Sequence, residues 1–244
     1  LKNVIKIKQM KLADDVPALS TAAAAQLLKL KFLIANGNPT TLVWNCPREN
    51  RLTVARECLH EVEQVGFIYP EQGLPKLLMM GDELCVDAIL ALASTLPANG
   101  KLLAYRVPEP ISYTNRAKTT AITLRLPFKH LTDMVLFDGI GYVVIVADIR
   151  PNLQKYKELA IDLARKYRLP AFGIIRYNEQ RQIIINVYVA GTGTFIQETG
   201  SGSGSIATSI VTGWEEIIQP TGHSITVKRN AEDITVEAEV VPLM

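Results

Sequence analysis

Acid–base chemistry in this chain has few carriers: three cysteines, at 46, 58 and 85, and the Gly/Ser-rich stretch "QETGSGSGSIATSIV" from Gln197 to Val211. Cys85 stands where the short polar turn "GDELC" gives way to the apolar run "VDAILALAS". Unpaired amides and the positive dipole end of a helix favour a thiolate, which makes Cys85 a candidate base or nucleophile. A lone cysteine in an apolar segment is more often a small buried residue. By composition alone "GSGSGS" is a flexible linker. Yet it lies between the strand-like "TFIQ" and an apolar helix-like run, so its small residues read as the entrance to a buried helix. There the amides of Gly202, Ser203, Gly204 and Ser205 are candidate donors to an anion. A carboxylate fits better than a phosphate, because neither turn has the spacing of a nucleotide-binding loop.

The elements that must position these residues repeat one grammar. The first half runs strand "KFLIA", turn "NGNP", strand "TTLVW" and a helix over "NRLTVARECLHEV" with Leu52, Ala55, Leu59 and Val62 at helical spacing. A hairpin of "VGFIY" and "KLLMM" about "PEQGLP" follows, then "GDELC" and its helix, which ends at "LPANG". The second half runs "MVLFDGIGYVVIVA", the helix "LQKYKELAIDLARKYR", strands "FGIIRY" and "IIINVYV" about the turn "NEQRQ", then "TFIQ", the turn "ETGSGSG" and the run "SIATSIVTGW". Each half closes on strands, "KLLAYRV" and "TAITLRL" in one, "HSITVKR" and "ITVEAEVV" in the other. The expected fold is α/β, with two pseudo-symmetric halves, each a curved sheet or barrel around a central helix. The first half covers residues 31–127, joined by the C-terminal strand 234–244, and the second covers 128–233. Residues 1–30 read as an N-terminal extension of unknown role. Helix starts converging from the two halves would put an anion site in the cleft between them.

Composition narrows the function. The net charge is +2, with Lys and Arg scattered, so no basic stripe suggests nucleic acid. No apolar run approaches the ~20 residues of a membrane span, and the expected compartment is the cytoplasm. An odd cysteine count without close spacing argues against disulfides and zinc, and the three histidines are dispersed, so no metal site is expected.

The stretches "ANGNPTTLV", "EQVGFIY", "MMGDELCVDAILALAS", "NEQRQ", "QETGSGSGSIATSI" and "IIQPTGHSITV", in this order, resemble the diaminopimelate epimerase fold family of cofactor-independent amino-acid racemases. The similarity runs from about Lys31 to the C-terminus. It is closest to the histidine racemases that supply D-histidine for opine metallophores of the staphylopine type. The resemblance implies catalysis without pyridoxal phosphate or any other cofactor, on a small amino acid, in a protein that pairs as a possible homodimer. It implies one thiol at each helix mouth, one removing the α-proton and the other returning a proton to the opposite face, with helix-end amides steadying the substrate carboxylate. Cys85 and Ser201 occupy the two catalytic stations, and Asn38, Asp87, Glu198, Gly202, Ser203, Gly204 and Ser205 form the substrate-binding set.

Several residues depart from the family pattern. Ser201 stands at the second cysteine position, and a serine is a far poorer proton shuttle than a thiol. It fits an engineered Cys-to-Ser change that traps a substrate complex, a natural one-cysteine enzyme such as a dehydratase or isomerase, or an amino-acid-binding relative without turnover. Val86 and Asp87 replace a Gly–Asn pair, Gly141 stands where a histidine is common, and Thr199 replaces an arginine that reads a distal carboxylate. The last argues against diaminopimelate. Asn38 doubles as a plain turn residue and Glu198 as a helix cap. Glu83 and Asp87 read as solvated first-turn acids, and Cys46 and Cys58 as structural.

Overall fold

Two runs, "VDAILALAS" and "GSGSIATSIVT", are apolar or small on every side, and a helix of that kind has to be enclosed. The structure, a computed structural model, encloses both. It describes residues 30–35, 37–147 and 152–243, with side chains from residue 37 onward. The N-terminal extension expected over 1–30 lies outside the described residues, save Leu30.

In chain order the first half holds β1 (Leu30–Ala35), β2 (Asn38–Trp44), a 3-10 turn (Arg48–Asn50), α1 (Arg51–Cys58), β3 (Gln64–Glu71) and β4 (Leu74–Met79). Then come α2 (Val86–Ser94), β5 (Asn99–Ala104), β6 (Ile111–Arg116) and β7 (Thr119–Leu124). The second half holds β8 (Phe128–Leu131), β9 (Met134–Phe137), β10 (Ile140–Val146), α3 (Leu153–Tyr167), β11 (Ala171–Tyr177), β12 (Ile183–Val189) and β13 (Thr194–Glu198). It continues with α4 (Gly202–Thr212), β14 (Glu216–Ile218) and β15 (Ser224–Arg229), and β16 (Ile234–Pro242) ends the chain.

The shared grammar is a strand, a crossover helix and a parallel strand, β2–α1–β3 and β10–α3–β11. An antiparallel neighbour follows, β4 or β12, and the chain then enters a core helix. Strands β1 to β7 pair in sequence and continue through β16, β15 and β14. β16 also pairs with β1, so the run of strands returns to its start around α2. The second sheet has the order β13-β12-β11-β10-β9-β8. α4 packs between its β9–β11 face and the β14–β15 hairpin. Every residue of α2 from Val86 to Ala93 is buried, as is every residue of α4 from Gly202 to Ile210. α3 buries only the stripe Tyr156, Ala160 and Ala164 and so covers an outer face.

The small polar residues of α4 are satisfied internally. Ser205 Oγ, Thr208 Oγ1 and Thr212 Oγ1 each donate to the carbonyl four residues back, at 2.7, 2.9 and 2.8 Å. The Gly/Ser run is therefore the first turn of α4 itself, not a turn preceding it. Other departures are local. Leu52 is 42% exposed because α1 ends at Cys58 and turns its Ala55 and Cys58 side inward. "MVLFDGIGYVVIVA" splits into β9 and β10 at Asp138 and Gly139, where φ is +97° and a side chain would press on the Leu84 backbone. β6 and the shorter β8 and β14 are further strands. Among the described residues no helix is long and apolar enough to cross a membrane.

The two core helices touch at their starts. A Cβ on Gly202 would lie 2.6 Å from Val86 Cγ1. Gly202→Ala is expected to cost about 1–3 kcal/mol of stability by overpacking. Combining it with Val86→Ala should destabilise by less than the sum of the single changes in denaturant melts. Additive losses would contradict this contact.

Candidate active site

Each helix start is capped by the side chain just before it. Cys85, extended at φ −135°, accepts the Ala88 N–H on Sγ at 3.4 Å. Ser201, extended at φ −154°, accepts the Gly204 N–H on Oγ at 3.2 Å. The two caps hold equivalent stations in the two halves, and both are buried. Between the helices, the Gly202 N–H donates to Asp87 Oδ2 at 2.7 Å. Gln219 fastens the second start from behind: its Oε1 accepts the Ser201 N–H at 2.9 Å and its Nε2 donates to Ser205 Oγ at 3.0 Å. Asn38 ties β2 to the same turn by donating Nδ2–H to the Gly200 carbonyl at 2.8 Å.

A cavity lies between the halves. Glu63, Gln64, Glu83, Cys85 and Asp87 line it from the first half, and Tyr142, Glu198, Ser201 and Ser203 from the second. An apolar wall of Met80, Leu84, Ile140, Val187, Val189 and Ile196 completes it. Only about 20 Å3 is open to the centre of a water molecule, enough for ordered water and too little for an amino acid. Four carboxyl groups face this space, and no Lys, Arg or His lines it among the described residues. Nor, among those residues, is any group of three or more His, Cys, Asp and Glu placed to hold a metal ion.

Burial without counter-charge governs the titration of these groups. It pushes the Glu198 carboxyl well above the usual range, and Asp87 adds to the effect, while the Ser201 hydroxyl works against it. Burial likewise raises Glu63, which accepts the Thr199 N–H at 3.0 Å, and pushes Glu83 up to about 7. The Cys85 thiol is also pushed well above its ordinary value, by burial first and then by Asp87. The Ala88 N–H opposes this without overcoming it. The expected helix-end lowering of the thiol is thus corrected: desolvation and negative neighbours outweigh one amide. The resting thiol is protonated and donates to Gln64 Oε1 at 2.7 Å.

Of the residues singled out by sequence, Cys85, Asp87, Glu198, Ser201 and Ser203 line the cavity. Asn38, Gly204 and Ser205 are not among its lining residues, and Gly202 reaches its edge through the bond to Asp87. Three of the four amides proposed for an anion already have partners: Gly202 gives to Asp87, Gly204 to Ser201 Oγ, and Ser205 to the Ser201 carbonyl. Glu83 and Asp87 are buried, not solvated first-turn acids. Glu198 caps no helix; Ser201 does. Gly141 faces away from the cavity, where a Cβ would lie 2.4 Å from the Phe172 ring, and its neighbour Tyr142 reaches in to bond Ser203 Oγ at 2.7 Å. Alternation along β10 carried that signal. Gln64 and Gln219 lay inside quoted motifs, but nothing in their types announced a partner. Cys46 and Cys58 are buried beneath α1, with the Cys58 thiol raised to about 11 by burial, as structural residues would be. The "NEQRQ" turn makes a hairpin and also meets β14, its Arg181 carbonyl accepting the Ile218 N–H.

No family model and no curated protein matches the chain. Solved structures do. A probable proline racemase from Agrobacterium radiobacter K84, with bound carbonate, superposes with a TM-score of 0.63 at 8% identity, over 88% of this chain and 91% of that one. A hydroxyproline epimerase from Agrobacterium vitis, with bound trans-4-hydroxy-L-proline, gives 0.60 at 10%, over 89% and 91%. A putative phenazine biosynthesis PhzC/PhzF protein from Clostridium difficile gives 0.57 at 12%, over 89% and 97%. The shared property is the two-halved α/β fold.

A buried carboxyl with a raised pKa favours the folded state at low pH and weakens it as the pH rises through the folded value. For Glu83 the loss sets in above its ordinary 4.5 and is complete beyond about 7. The empty protein should therefore be less stable at pH 8 than at pH 5. Glu83→Gln should remove about 3 kcal/mol of that difference. Urea melts across this range would show it, and a wild-type profile flat from pH 5 to 8 would contradict it.

Proposed function

We propose that this chain is a cofactor-independent isomerase of the racemase or epimerase kind, moving the α-proton of an amino acid within the cavity between its halves. One observation carries the reading: Cys85 and Ser201 cap two core helices start to start and line one cavity between the halves. The similar fold of a proline racemase and a hydroxyproline epimerase supports it, as do the quoted motifs.

The chemistry follows from the residues present. An amino acid brings an ammonium group into a space holding four carboxyls and no cation. That charge would favour the ionised form of Glu198 and relieve the negative field on Cys85. The substrate carboxylate would compete with Asp87 for the Gly202 amide, where the dipole of α4 steadies negative charge as the α-carbon loses its proton. Cys85, held protonated by Gln64, is set to deliver a proton. Histidine is the substrate the motif resemblance favours, and the acidic lining suits a molecule with a basic nitrogen.

Ser201 favours one further reading. Its hydroxyl is spent on capping α4, and a serine alone is a weak shuttle. A one-base isomerase or dehydratase, or an amino-acid-binding relative with impaired turnover, would keep the same cavity.

Proton NMR in D2O separates these. L-histidine and other L-amino acids should lose their α-proton signal with the protein present. Cys85→Ala should slow the loss by ~10²–10⁴-fold. Ser201→Cys should raise the yield of the D-isomer on chiral chromatography. If neither the native chain nor Ser201→Cys exchanges the α-proton of any amino acid, the enzymatic reading fails; tight binding without exchange would leave the binding relative.

A further inference from the structure

Two-sided proton transfer needs a second group across the substrate from Cys85, and Ser201 is ill suited to be it. The other proton carriers of the cavity are Glu63, Glu83, Asp87, Tyr142 and Glu198. Glu63 is held by the Thr199 N–H, Glu83 by the Gly81 N–H at 2.8 Å, and Asp87 by the Gly202 N–H. All three come from the half that already supplies Cys85. Tyr142 is engaged with Ser203. Glu198, like Tyr142, comes from the opposing half, at the end of β13 three residues before Ser201. Its Oε2 is buried and has no hydrogen-bond partner. A buried carboxylate oxygen without a donor costs on the order of 1–3 kcal/mol, which a substrate C–H or ammonium placed against it would offset.

We propose that Glu198 is the catalytic acid–base group opposite Cys85, doing on the Ser201 side what a second thiol would otherwise do. This rests on the proton-transfer reading above. Ser201 Oγ accepts from Gly204, which leaves its own proton to the Glu198 carboxyl and the Tyr142 hydroxyl that face it. The serine thus orients the carboxyl.

The step balances. The α-C–H bond breaks, its proton passes to Glu198 Oε2, and the electron pair spreads into the substrate carboxylate as an enolate. The Cys85 S–H then gives its proton to the other face of the α-carbon, leaving a thiolate. The resulting pair, protonated Glu198 and ionised Cys85, is the starting state for the reverse direction. Which group ionises first follows from intrinsic acidity: when a substrate ammonium neutralises the field of Asp87, Glu63 and Glu83, a carboxyl yields its proton before a thiol does.

Three variants test the assignment by α-proton exchange of L-histidine and the other L-amino acids in D2O. Glu198→Gln should lower kcat by ~10²–10⁴-fold with KM moved far less. Adding Ser201→Cys to Glu198→Gln should restore at least ten-fold of the loss, because a thiol then stands on that face; recovery also proves that the variant folds. The native chain should show a pH–rate limb that Glu198→Gln removes, with Cys85, Tyr142, Asp87, Glu63 and Glu83 still facing the site. Native-like exchange by Glu198→Gln, a loss confined to KM, or a loss that Ser201→Cys fails to mend would overturn the assignment and leave the exchange reading standing. Exchange by Ser201→Cys but not by the native chain would overturn the assignment alone; no exchange by either with any amino acid would overturn both.

Discussion

Two helix starts pointing at one small buried space set the terms for everything around them. Each start brings amide hydrogens and a positive dipole end, and two such ends meeting away from bulk solvent repel. Negative charge has to stand between them. Asp87, on the first turn of α2, supplies it to the Gly202 amide of α4. Cys85 Sγ and Ser201 Oγ each satisfy a further amide of their own helix. The contact is close because Gly202 has no side chain to hold Val86 away. A larger residue at either place would part the starts and open the amides to solvent.

The same arrangement explains why the site titrates as it does. Carboxyls gathered near two positive ends would be ionised if the ends were free. Here most first-turn amides are occupied, the lining carries no cation, and burial dominates. The Cys85 thiol and the Glu198 carboxyl hold their protons in the empty protein, with Asp87 acting on both as a negative neighbour. On the proposed reading, substrate charge is part of the catalyst: an ammonium group would ionise the base that the protein alone keeps neutral. A chain that kept Cys85 as a thiolate at rest would leave a buried anion beside four acids, at a larger electrostatic cost.

Much of this was legible in the residues. The all-round apolar or small character of "VDAILALAS" and "SIATSIV" announced enclosed helices, and the polar turns before them fixed the caps at Cys85 and Ser201. The paired grammar of strands told of two halves. What sequence left hidden is long-range: Gln64 meets Cys85 across 21 residues, Gln219 holds Ser201 across 18, and Asp87 reaches Gly202 across 115. Such pairs have no periodicity. The direction of the Cys85 shift was hidden for a related reason: dipole and amide are local and visible, whereas the burial that dominates, and that leaves the field of nearby Asp87 unscreened, comes from segments packed in from far along the chain.

The narrowness of the cavity carries the last consequence. Pockets that take small molecules run to ~300–1,000 Å3, and about 20 Å3 is open here. An amino acid can enter only if the halves separate. The contacts that resist separation at the site are few and specific: Asp87 to Gly202, Glu63 to the Thr199 amide, Asn38 to the Gly200 carbonyl, and Thr199 Oγ1 to the Gly37 carbonyl. All four join the first half to residues 199–202, the segment that carries Ser201 into α4. A substrate carboxylate taking the Gly202 amide would release Asp87, so binding exchanges one of these ties for a bond to the ligand. On the proposed reading, opening, proton affinity and substrate recognition would therefore meet in the same four-residue turn.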